Sequence, residues 1–200
     1  MSHRFSVSAW LKNLSPAGKV VFFVIKLLAI YLTWYYVDEY MRASDGEPLI
    51  VRIWWFGYHI LLKSTMFLSL HLSSLFTDTN ITTTYRYFLI ENHGYLYVGN
   101  PCLCADVMCL FAAFIIAYPG RWKTKLWFIP LGLLAIHLIN VLRIAALCLT
   151  KIYRPEWMDI NHKFIFNIIV FTFVFILWMI WVKRFSGADL LKKNATKQGD

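Results

Sequence analysis

The sequence predicts an all-α integral membrane protein: a bundle of about five transmembrane helices with a small extracytoplasmic β-hairpin. Three observations carry this. The 200 residues are 59% hydrophobic, whereas a soluble domain is about 45–50% apolar. Aromatic residues make up 18%, including nine Trp, and Trp and Tyr favour the membrane interface. The apolar residues also fall into long runs, and a spanning helix needs about 20 of them in a row.

Five segments meet that length approximately: 18–37, 53–76, 102–119, 126–149 and 164–182. The third is short but well bounded, by Pro101 before it and Tyr118-Pro119-Gly120 after it. Proline suits a first helical turn and glycine a helix stop. The second contains His59, Lys63 and His71. Lys26 and Lys63 must snorkel or face protein. Residues 5–14 read as a short helix on the membrane surface. Residues 1–185 form one transmembrane domain, and 186–200 form a polar C-terminal tail.

Between the second and third segments the composition changes. Thr82 to Ile90 is rich in Thr, Tyr and Phe, Glu91-Asn92-His93-Gly94 is a turn signal, and Tyr95-Leu96-Tyr97-Val98 follows. This predicts a hairpin over about 82–98 that delivers the chain to Pro101 and Cys102.

The net charge of +9 is not the footprint of a nucleic-acid partner, because the basic residues cap apolar segments and do not line one polar face. They read as topology signals. Arg121, Lys123 and Lys125 join the third and fourth segments, and Lys183, Arg184, Lys192, Lys193 and Lys197 occupy the end of the chain. In a five-span bundle both groups share one side, which the positive-inside rule makes cytoplasmic. The hairpin, with Arg86 alone, faces out. One conflict remains. Five alternating spans put the N-terminus outside, although it carries Arg4, Lys12 and Lys19. Either the charge rule is weak here or an early segment does not cross.

Alternation of direction then gathers the reactive residues. Cys102 opens the third segment on the outer side. Arg143 lies 17 residues into the fourth, roughly 25 Å along at about 1.5 Å per residue. His162 precedes the fifth, again on the outer side. A cysteine in a first helical turn feels the positive helix end, which favours thiolate. Histidine exchanges protons near neutral pH. An arginine within a membrane helix is costly and marks a functional site by default, here for a substrate carboxylate or an oxyanion. Asp106, four residues after Cys102 on the same helix face, is placed to pair with Arg143 or to orient His162. Asn140, one turn before Arg143, either positions that side chain or bonds another helix. Cys104 competes with Cys102 as nucleophile.

These motifs, in this order, resemble the exosortase/archaeosortase family: Asn100-Pro101-Cys102; Tyr118-Pro119-Gly120-Arg121; Phe128-Ile129-Pro130-Leu131-Gly132 followed by Asn140-Val141-Leu142-Arg143; and Asn161-His162 with Phe166-Asn167. The resemblance covers about residues 96–184. It implies a membrane-embedded cysteine peptidase/transpeptidase with Cys102 as nucleophile, Arg143 as the essential arginine and His162 as general base. The implied partner is a membrane-inserted protein with a C-terminal sorting signal, in a bacterial inner membrane. The acceptor is a lipid or glycan amine, or water. The family has glycine two residues after its cysteine, where this chain has Cys104.

Other chemistries have weaker support. His59 and His71 are 12 residues apart on one helix, roughly 18 Å, so they cannot share one haem iron. Cys102 and Cys104 lack the second ligand pair of a metal site. Cys109 and Cys148 sit in apolar runs as small buried hydrophobes. We expect no metal and no cofactor. The competing class is a non-catalytic membrane scaffold that keeps the family's bundle.

Overall fold

The computed structural model describes residues 15–44 and 48–185. The expected surface helix over 5–14 and the polar tail lie outside these residues. Five principal helices appear: α1 Pro16–Ala43, α2 Leu49–Ser74, α3 Ala105–Ala117, α4 Trp122–Tyr153 and α5 Phe166–Phe185. Three are long and apolar enough to cross a membrane, namely α1, α4 and α5. The count of five expected from sequence is not reached on this measure. α2 carries Arg52, Lys63 and two histidines. α3 has only 13 residues, roughly 20 Å of helix, against a hydrocarbon core of about 30 Å.

The shortening of α3 has a local cause. Residues Asn100–Leu103 form a separate 3₁₀ turn with Pro101 in its first positions. Cys104 follows in the left-handed conformation, φ 56° and ψ 23°. A left-handed residue cannot continue a right-handed helix, so α3 begins only at Ala105. Cys102 therefore lies before α3 and not in its first turn, contrary to expectation. At the other end Tyr118 is extended, ψ 140°, as the residue before a proline prefers.

The hairpin is a three-stranded antiparallel meander: β1 Ile81–Thr84, β2 Tyr87–Ile90 and β3 Gly94–Tyr97. The second turn falls where the sequence placed it, with Asn92 and Gly94 at φ 62° and 82°. The first turn splits the expected long strand at Tyr85-Arg86. Tyr85 sits at φ 44°, a position usually given to glycine or asparagine. Phe88, Ile90, Leu96 and Val98 point to one face of the sheet and are buried with Leu62 and Met66 of α2, Ile144 and Leu147 of α4, Cys102 and Leu103. A second core joins Phe111 and Ile115 of α3, Phe128 and Ile136 of α4, and Val174 and Trp181 of α5.

Contacts along the helices give their directions. Lys26 donates to the Ala117 carbonyl at 3.4 Å, and Trp34 Nε1 donates to Asp106 at 3.4 Å. Thus α1 runs antiparallel to α3, with its N-terminal half at the end of α3 that leads into residues 118–121. α3 runs antiparallel to α4: Cys104 meets Asn140, while Lys125 donates to the carbonyls of Ile116 and Tyr118. α5 is antiparallel to α4, with Trp181 and Phe185 against Phe128.

α2 breaks the alternation. Where it touches α4 it advances in the same direction, through Ser64 with His137, Ser69 with the Val141 carbonyl, and Ser73 with the Ala145 carbonyl. Its far end is tied to the C-terminal end of α4 by Tyr153 donating to the Phe76 carbonyl at 3.0 Å. Its near end follows α1 after only residues 44–48, which reach roughly 17 Å. Both ends of α2 therefore belong to the end of the molecule that holds Cys102. α2 packs against β1 of the sheet and against α4.

Candidate active site

The site is a turn held between the sheet, α4 and the segment before α5. Asn100–Leu103 closes on itself through Cys102 N–H to the Gly99 carbonyl at 3.0 Å. Short 3₁₀ turns have poor hydrogen-bond geometry, so the conformation depends on outside partners. Asn140 of α4 is fully buried, 0% exposed, and supplies one. Its Nδ2 donates to the Cys102 carbonyl at 2.8 Å. Its Oδ1 accepts from the Cys104 thiol at 3.1 Å. One amide thus grips the backbone of one cysteine and the side chain of the next.

His162 approaches from the other side. Residues Asn161–Ile165 form a π-helical turn between short helical turns and α5, a distortion often found at functional sites. Asn161 anchors it to Thr150 of α4 at 3.3 Å. The His162 Nε2 stands 3.7 Å from Cys102 Sγ, within hydrogen-bonding reach for sulfur. Cys102 itself is 6% exposed.

Arg143 is 7% exposed. Its Nη1 donates to Cys104 Sγ at 3.6 Å, and its Nε is buried with no hydrogen-bond partner among the described residues. Asp106 does not neutralise it. That carboxylate is exposed and accepts from Trp34 Nε1, and no ion pair joins the two residues. A buried guanidinium without a carboxylate is costly. It also retains donors for an oxygen that acquires negative charge during a reaction.

The structure thus brings together Cys102, His162, Asn140, Cys104 and Arg143, from three distant parts of the chain. It leaves Asp106 at the edge, facing α1, neither paired with Arg143 nor bonded to His162. It also separates the two cysteines by role. Cys102 Sγ faces the histidine, whereas Cys104 Sγ faces the asparagine and the arginine. Cys104 is buried and donates its thiol hydrogen to Asn140. The expected help from a helix N-terminus to Cys102 is lost, since α3 starts beyond Cys104. The histidine contact is what remains for activation.

One residue of the site escaped sequence reasoning. Arg86, read above only as a loop charge, donates from Nη1 to Asn100 Oδ1 at 2.7 Å and to the Val98 carbonyl at 3.4 Å. Nothing in its neighbours signals this, because the Tyr85-Arg86 turn lacks glycine, asparagine and proline. Among the described residues no group of three or more His, Cys, Asp or Glu is arranged to hold a metal ion. No family model matches the chain, and neither does any curated protein or solved structure.

The different surroundings of the two thiols give a labelling order. With a small haloacetamide near neutral pH, Cys102 should be carboxamidomethylated before Cys104, as read by peptide mass spectrometry. Cys104, buried and held between Asn140 and Arg143, should label only slowly. Equal labelling of both at neutral pH contradicts the assignment.

Proposed function

We propose that the protein is a membrane cysteine peptidase/transpeptidase of the exosortase type. The observation that carries this is the 3.7 Å approach of His162 Nε2 to Cys102 Sγ, beside a buried arginine with an unengaged donor. A thiol, a base and an oxyanion donor are the parts that acyl transfer needs. Cys102 attacks a peptide carbonyl of the substrate, and Arg143 stabilises the oxyanion. His162 takes the thiol proton and delivers it to the leaving amine, and a thioester forms on Cys102. An amine acceptor on a lipid or glycan, or water, then attacks the thioester and regenerates the thiol.

The substrate is a membrane-inserted protein with a C-terminal sorting helix, approaching laterally. An apolar cavity of about 510 Å³ supports this path. It is lined by Trp34 of α1, Trp54 and Gly57 of α2, and Met108 and Ala105 of α3, the last directly after the Cys102–Cys104 stretch.

In place of five crossings we propose four: α1, α3 with its flanking turns, α4 and α5, with α2 seated obliquely at the outer boundary. Support comes from the two ends of α2 lying at one end of the molecule and from the charges. In this arrangement the N-terminus, residues 118–125 and the end of α5 share one side. Arg4, Lys12 and Lys19 then join Arg121, Lys123, Lys125, Lys183 and Arg184 on the cytoplasmic side of a bacterial inner membrane. The conflict that five alternating spans produced disappears.

Two measurements test these readings. Reporters that work only in the cytoplasm should be active when fused at the N-terminus and after Lys197. Activity at only one of the two ends rules out four crossings. In membranes of the native host, Cys102→Ala should leave proteins with C-terminal hydrophobic helices uncleaved, as seen by C-terminal peptide mass spectrometry. Loss of the nucleophile removes most of the rate, by orders of magnitude, while Cys104→Ala keeps the nucleophile and leaves processing measurable. The reverse ranking moves the chemistry to Cys104.

A further inference from the structure

We infer that Arg86 is a positioning residue: from the first turn of the sheet it fixes the Asn100–Leu103 turn and thereby the alignment of Cys102 with His162. The inference rests on the reading of Cys102 as a nucleophile activated by His162.

The turn has little to hold it in place by itself. Pro101 has no N–H, and the Cys104 N–H reaches the Pro101 carbonyl only at 3.4 Å. On one side it leads into Cys104, a non-glycine residue in the left-handed region. Such a stretch stays in one conformation only when its surroundings over-determine it. Asn140 secures the Cys102 carbonyl from α4. The start of the turn, at Asn100, is secured from the sheet.

Arg86 does this with three bonds. Its backbone carbonyl accepts from the Val98 N–H at 2.8 Å. Its guanidinium reaches the Val98 carbonyl and Asn100 Oδ1. The 2.7 Å bond to Asn100 is the shorter of the two side-chain contacts. A hydrogen bond with an ionised donor is roughly twice as strong as a neutral one. No acidic side chain competes, since Arg86 forms no ion pair among the described residues. The guanidinium also lies over the Tyr85 ring, 5.5 Å from its centroid.

The local backbone fits this role. Tyr85 adopts φ 44°, a strained position for a bulky residue. That strained turn places Arg86 opposite Val98 and Asn100. The three-stranded sheet thus has a use beyond covering apolar surface: it carries a guanidinium to the head of the turn that bears Cys102.

The test needs no substrate. On purified full-length protein in detergent, the rate of iodoacetamide modification is measured at Cys102, with Cys148 as a control for general loosening. Arg86→Ala should slow Cys102 on the order of tenfold or more, the scale of small misplacements of reacting groups. Asn100→Ala should have the same effect, and the double variant should be no slower than either single one. In a His162→Ala background Arg86→Ala should change nothing further, because it acts through the Cys102–His162 contact. Arg86→Lys should recover part of the rate. An unchanged or faster Cys102 in Arg86→Ala, or a further slowing in the His162→Ala background, overturns the inference. Faster Cys148 labelling marks loosening, and Asn100→Ala then decides alone: an unchanged Cys102 rate in that variant also overturns it. A processing defect absent from Cys102→Ala would defeat the peptidase reading while leaving these rates as they stand.

Discussion

Asn140 is the constraint on which the site depends. An amide with no solvent exposure must spend its hydrogen bonds inside the protein, because an unsatisfied buried polar group costs about 1–3 kcal/mol. Asn140 satisfies its Nδ2 on the Cys102 carbonyl and its Oδ1 on the Cys104 thiol. Both partners belong to one short stretch, so a single side chain on the longest helix fixes where the turn sits. The left-handed backbone of Cys104 follows from this. That conformation turns the Cys104 sulfur towards Asn140 and Arg143 and leaves Cys102 Sγ to His162. Arg143, one turn further along α4, then reaches the same stretch from the same face.

The left-handed conformation of Cys104 is one that favours glycine. Glycine adopts φ 56° without a Cβ penalty. Cysteine pays about 1–2 kcal/mol for it, and here the thiol gains two polar contacts in return. Filling the space beside Arg143 with a sulfur also removes room that glycine leaves open. The left-handed backbone of Cys104 is thus accommodated by contacts from α4.

Much of this was legible in the sequence because it rests on direction and length. That His162 reaches Cys102, and Arg143 reaches Cys104 in the same short stretch, follows from helices that reverse at Tyr118-Pro119-Gly120 and again at residues 154–165. The turn at Asn92–Gly94 was readable because asparagine and glycine tolerate positive φ. What stayed hidden has no compositional mark. Tyr85 makes a turn with a residue that disfavours it. Asn161–Ile165 is a π-helical turn written in ordinary helix formers. Cys104 ends a helical run that looks continuous from Pro101 to Ala117. α2 is a case apart: 26 residues rich in Leu, Ile, Trp and Phe look like a span, yet it is not among the helices long and apolar enough to cross a membrane. Its serine contacts to α4 and the tie between Phe76 and Tyr153 set its direction beside α4.

The central claim is that Cys102 forms a covalent acyl intermediate. Its most direct measurement is the intact mass of the protein purified rapidly from native membranes at mildly acidic pH, before and after neutral hydroxylamine. The account predicts a fraction of molecules carrying a peptide-derived adduct, released by hydroxylamine, mapped to Cys102 by fragmentation and absent from Cys102→Ala. A hydroxylamine-labile adduct on Cys104, or an adduct that persists in Cys102→Ala, contradicts it.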